Sequence, residues 1–90
     1  MKADKLGQLR KKINALDRKL LKLLHERTRY ALAIGKIKKQ LKLKIYSPRR
    51  EQEIINMLVR GTKKPLPRTA VVRIFKTIMS ESRKVQRSVR

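Results

Sequence analysis

The stretch KLLKLLHERTRYALAIGKIKK, residues 19–39, decides how the chain folds, and it holds a cation where an apolar residue belongs. Reading outward from it, Leu6, Leu9, Ile13, Leu16, Leu20, Leu23, Arg27, Tyr30, Ile34, Ile37 and Leu41 recur at alternating intervals of three and four. On an α-helix that spacing draws a single apolar seam, the heptad pattern of a coiled coil. It predicts one helix from about residue 3 to about residue 41, roughly 58 Å long, with Asp4 near its positive end. Gly7 and Gly35 lie inside it, each unfavourable by up to about 1 kcal/mol relative to alanine; Gly35 reads as a close approach of another helix. Arg27 sits in the middle of the seam, and the function has to explain it.

Downstream, residues 42–46 connect to Ser47-Pro48, a helix start with serine as N-cap and proline in the first turn. A second helix is expected over 48–60, with Gly61 as its stop. TKKPLP, residues 62–67, is a loop. A third helix is expected over 68–88, with a stripe of Val71, Phe75, Ile78, Ser82, Val85 and Val89. No strand pattern occurs, so the fold class is all-α: three helices, one very long and two shorter, in a single domain over residues 1–90. Helices of roughly 20 and 31 Å cannot cover so long a seam. The heptads predict a symmetric homodimer with the long helices packed together.

The charge is extreme. Among 90 residues, 27 Lys and Arg face 6 Asp and Glu, a formal net charge of +21. Such a chain attracts anions and repels itself. Charge alone argues for disorder, but 40% apolar residues in periodic order argue against it. With no cysteine, there is no disulfide framework and no thiolate metal site. His25 is the lone histidine and has no evident acid partner, so a nucleophilic triad and a metal centre are set aside and no cofactor is expected. MKADKLGQLRKK at the start lacks the apolar core of a signal peptide, and no stretch reaches membrane-span length. A cytoplasmic protein without a membrane partner is expected.

Each helix carries polar residues on its apolar side. Lys38 lies eleven residues after Arg27, three turns with about 20° of drift, so the two share a face roughly 16 Å apart. Glu51 shares a face with Ile54, Ile55 and Leu58. Ser82 occupies a seam position, with Gln86 one turn beyond. Taken singly these have ordinary readings. Arg27 snorkels from the seam edge or fixes register, Glu51 is favoured in a first turn, and Lys38 belongs to the basic run 36–39. Jointly, two cations, a carboxylate and neutral donors describe a pocket for a small polyanion, because burying them uncompensated is costly.

The segments LRKKINALDRKLLKLLHERTRYALAIGKIK (9–38), SPRREQEI (47–54) and RIFKTIMSESRKVQ (73–86) carry these residues. In them the chain resembles the all-helical (AroQ-type) chorismate mutases along nearly its whole length. The resemblance implies an interlocked antiparallel homodimer of three-helix chains with two sites. It implies that Arg10 reaches into the partner's site and that Arg27 is the main carboxylate-binding arginine. Arg50 would support that carboxylate site, Lys38 and Gln86 would flank the substrate's ether oxygen, Glu51 would meet the ring hydroxyl, and Ser82 would line the pocket. Ser47 departs from the pattern, since some members have aspartate there; serine can still hydrogen-bond but brings no charge. The resemblance also resolves a geometric problem. Arg10 and Arg27 are about 25 Å apart along one helix and about 100° round it, too far to hold one small substrate unless they come from two antiparallel chains.

The implied reaction is the intramolecular [3,3] rearrangement of chorismate to prephenate, which needs no nucleophile, metal or redox group. Three other readings stand beside it: an isochorismate-pyruvate lyase on the same fold, a basic helical dimer that binds nucleic acid, and a purely structural coiled coil. The nucleic-acid reading draws on the charge, but three aromatic residues, Tyr30, Tyr46 and Phe75, serve base stacking poorly, and no reading motif occurs. Weak non-specific nucleic-acid binding from charge remains an expectation alongside the enzyme.

Overall fold

A computed structural model describes residues 1–89. It contains three helices, α1 (Lys2–Gln40), α2 (Pro48–Gly61) and α3 (Arg68–Arg87), and no strand among the described residues. The chain forms two compact units, Met1–Tyr30 and the part from Ala31 onward.

The first unit is helix alone. None of its residues is buried. Its seam leucines lie open: Leu9 is 51% exposed, Leu16 53%, Leu20 57% and Leu23 58%. An apolar row of this length facing water is a surface made to be covered.

The second unit packs the last turns of α1 with α2 and α3 around Ala31, Ile55, Val71 and Met79. Its joints are built locally. At the end of α1, Lys42 takes a left-handed conformation, φ 56°. The Leu43 N–H then reaches Lys38 O at 2.8 Å, and the Lys42 N–H reaches Lys39 O at 3.2 Å. This pair of reversed bonds is a Schellman stop, here formed without the usual glycine. Ser47 caps α2 as expected, its Oγ accepting from the Arg50 N–H at 3.2 Å, with Pro48 behind it in the first turn. Gly61 does not act as a left-handed stop; it is the last residue of α2, and the chain turns at Thr62 in extended conformation. The Thr62 hydroxyl donates to Leu66 O at 2.9 Å, closing the loop before α3.

The third helix covers its expected stripe, with Val71 buried and Phe75, Ile78, Ser82, Val85 and Val89 half-buried, and it also buries Met79, 3% exposed, which lies off that stripe. The reason is that α3 has two neighbours. One side lies on α2 and another meets α1 at Gly35, so the covered sector is wider than a single seam. A Cβ placed on Gly35 would stand 2.9 Å from Gln86 Cα and 3.1 Å from a Val89 methyl. Only a residue without a side chain permits that crossing, as the sequence reading of Gly35 anticipated.

Candidate functional site

The Gly35 crossing sets the site. Lys38 follows Gly35 by three residues and so occupies the same face one turn further on. The backbone against that face is that of Gln86. Lys38 therefore lies one turn from the residue that meets the Gln86 backbone. Lys38 is half-buried, and its Nζ donates to the Ile45 carbonyl at 2.7 Å. That bond uses one of three ammonium donors and holds the cation with a dipole instead of an anion. Gln86 is half-buried too, and its Oε1 is enclosed with no hydrogen-bond partner among the described residues.

Glu51 enters from the first turn of α2. Arg83 Nη1 lies 2.6 Å from its Oε1 and 2.5 Å from its Oε2. Both side chains are largely covered, at 24% and 23% exposure. The Arg83 guanidinium also lies over Tyr46, 5.0 Å from the ring centroid. Gln86 is one turn along from Arg83 on α3, so α2 and α3 are tied together one turn from the Gly35–Gln86 crossing. Ser82, adjacent to Arg83, is half-buried and donates to Ile78 O at 2.9 Å within its own helix.

Arg50, Ser47, Arg10 and Arg27 complete the predicted set. Arg50 is exposed and faces Glu53 at 3.5 Å, a contact Arg49 shares at 3.4 Å. Ser47 spends its oxygen as an acceptor on the cap, while its hydroxyl proton remains available to donate. Arg10 and Arg27 belong to the first unit; Arg10 is exposed and Arg27 half-buried.

Sequence reasoning missed Arg83 and Tyr46. The signal for Arg83 was present, four residues after the buried Met79 and three before Gln86, but it became visible only once Met79 fixed the inward face of α3. The pairing with Glu51, thirty-two positions away, has no local signature.

Chemically, the second unit offers two partly covered cations, one carboxylate, an amide and a hydroxyl. It offers no thiol, and no group of three or more metal-ligating side chains occurs among the described residues. The set suits binding and orienting an anion that also carries a hydroxyl.

Comparison with known proteins gives one answer. The profile of the chorismate mutase type II family matches residues 9–87. The structure is similar to that of a chorismate mutase (Form II) from Thermus thermophilus, with a TM-score of 0.92, 30% identity, and 94% of this chain and 97% of that one covered. It is also similar to a chorismate mutase from Helicobacter pylori in complex with prephenate, with a TM-score of 0.84, 38% identity, and 91% and 89% covered. A bifunctional chorismate mutase/prephenate dehydratase of Aquifex aeolicus is 34% identical over 91 residues, which is 97% of this chain but 25% of that protein. The chain thus spans about a quarter of the length of that bifunctional relative.

Proposed function

This chain belongs to the chorismate mutase type II family, and on that premise we propose that it rearranges chorismate to prephenate as a homodimer, residues 1–90 acting as one catalytic domain. The observation that supports the reading is the Gly35 crossing, where α1 meets the Gln86 backbone one turn before Lys38, while the Arg83–Glu51 pair joins α3 to α2. A reaction that breaks a C–O bond within one molecule gains from donors fixed where the ether oxygen becomes negative. Lys38 and Gln86 fill that role. Guanidinium groups clamp the two substrate carboxylates in the compact conformer that brings the reacting carbons together; Arg27 supplies one and Arg10 of the second copy another, with Arg50 in support. Glu51 accepts the ring hydroxyl, and Ser82 and Ser47 complete the lining. The half-exposed seam of the first unit supports the second copy. No cofactor takes part. No helix among the described residues is long and apolar enough to cross a membrane, and a cytoplasmic setting is part of the proposal.

The test is direct. Purified protein is mixed with chorismate, the loss of its ultraviolet absorbance is followed, and the product is identified. Prephenate supports the reading. Pyruvate released from isochorismate, with chorismate untouched, would instead favour the lyase on the same fold. Conversion of neither would overturn both.

A second reading has an observation of its own. Lys11, Arg18, Lys22 and Arg29 follow one another at seven, four and seven residues, on one narrow face of α1, and all are exposed. They make a row of cations roughly 27 Å long, suited to phosphates irrespective of sequence. Non-specific nucleic-acid binding would accompany the enzyme and vanish with salt.

A further inference from the structure

We infer that Arg83 is a positioning residue that holds the Glu51 carboxylate ready for the substrate's ring hydroxyl; the inference rests on the chorismate reading above. A glutamate side chain has several rotatable bonds and leaves its carboxylate undirected unless something grips it. Here one guanidinium nitrogen bridges both carboxylate oxygens. The guanidinium in turn lies over the ring of Tyr46, an attraction that holds it in place while it grips the carboxylate. The three residues come from the connector before α2, the first turn of α2, and α3. Arg83 thus relates the carboxylate to the helix turn that bears Gln86.

Stoichiometry leaves the carboxylate usable. Two ionised oxygens offer about four acceptor directions, and a single bridging nitrogen leaves others open for a hydroxyl proton. Arg83 itself need not touch substrate. A lysine in its place would keep the charge but lose both the planar stacking and the directed N–H. The plain alternative is a strut that merely ties α2 to α3, and substrate chemistry separates the two.

The experiment compares the full chain with Arg83→Met, Arg83→Lys, Glu51→Gln and the Arg83→Met/Glu51→Gln double variant. Each is assayed on chorismate and on the analogue lacking the ring hydroxyl, with kcat and KM resolved and folding checked by circular dichroism. Arg83→Met is expected to lower kcat/KM on chorismate about tenfold or more, the loss attached to one charged hydrogen bond. On the analogue the change should be less than about twofold, and in the Glu51→Gln background the loss should largely disappear, because the two residues act as one unit. Arg83→Lys should restore little. If Arg83→Met folds poorly, the same comparison on Arg83→Lys decides. Equal losses on both substrates, or losses that add to those of Glu51→Gln, would overturn the positioning role and leave a strut. A wild-type chain that converts chorismate while Arg83→Met matches it overturns this inference alone; a wild-type chain that leaves chorismate untouched overturns the functional reading and this inference with it.

Discussion

Lys38 is held by the Ile45 carbonyl and, among the described residues, by no acid. The distinction matters, because a carboxylate partner would quench the field that a bound anion should feel, whereas a carbonyl dipole orients the ammonium and leaves its charge in force. Removing such a preorganised donor costs about 100-fold or more in turnover. Lys38→Ala should therefore lose at least about 100-fold in kcat/KM, and Arg27→Ala a similar amount, measured by chorismate consumption on variants whose circular dichroism is unchanged. Near wild-type rates in either would remove that residue from the site. Gln86 makes a different prediction. An amide donates at any pH, so wild-type activity should run level through neutrality. Gln86→Glu should be active only while the new carboxyl is protonated, because the neutral acid donates and the carboxylate cannot; its kcat/KM should fall as pH rises through the carboxyl titration. Superimposable pH profiles for the two proteins would show that residue 86 does not act as the donor.

At the level of the helix, the site depends on how closely α1 and α3 approach. Gly35→Ala would insert a methyl 2.9 Å from the Gln86 Cα, and backbone cannot swing aside as a side-chain end can. The variant should be less stable by about 1–3 kcal/mol, the range for overpacked contacts, seen as a lower denaturation midpoint. Its kcat should fall further than that of a variant equally destabilised elsewhere, because the shifted backbone carries Gln86. Much of this was legible beforehand: the heptads marked α1, Ser47-Pro48 marked the start of α2, and a glycine inside a strong helix marked the crossing. What stayed hidden shares one cause. Met79 and Arg83 face inward because α3 touches two helices at once, and a single periodic stripe records contact with only one. Likewise Gly61 looked like a stop from its residue type, yet it stays in the helix, which ends where Thr62 turns extended and its hydroxyl ties the following loop to Leu66 O. The Schellman stop at Lys42 was unreadable because nothing about lysine announces a positive φ.

For the whole molecule, seam and charge pull against each other. Every copy carries +21, so association has to bury enough apolar surface to overcome repulsion between copies. Leu16 and Leu20 stand more than half exposed, and fully burying one leucine side chain yields about 1.5–3 kcal/mol; a row of them summed over both copies would drive the proposed dimer. If the proposed dimer shares its sites, Leu16→Glu should yield monomers by sedimentation and abolish activity, because Arg10 would then have no second copy to reach. The surplus charge predicts something further about the reaction itself. A doubly negative substrate approaching so positive a protein is drawn in from beyond contact distance, and that long-range attraction is screened over about 10 Å at 0.1 M salt. Once substrate is bound, the nearby donors act at short range and are screened far less. Raising salt from about 0.02 M to about 0.5 M should accordingly lower kcat/KM several-fold while kcat changes little, and the same titration should release any bound nucleic acid. A kcat that falls in parallel with kcat/KM would mean that salt reaches the chemistry, and that the fixed donors at Lys38 and Gln86 are not sheltered as the Gly35 crossing implies.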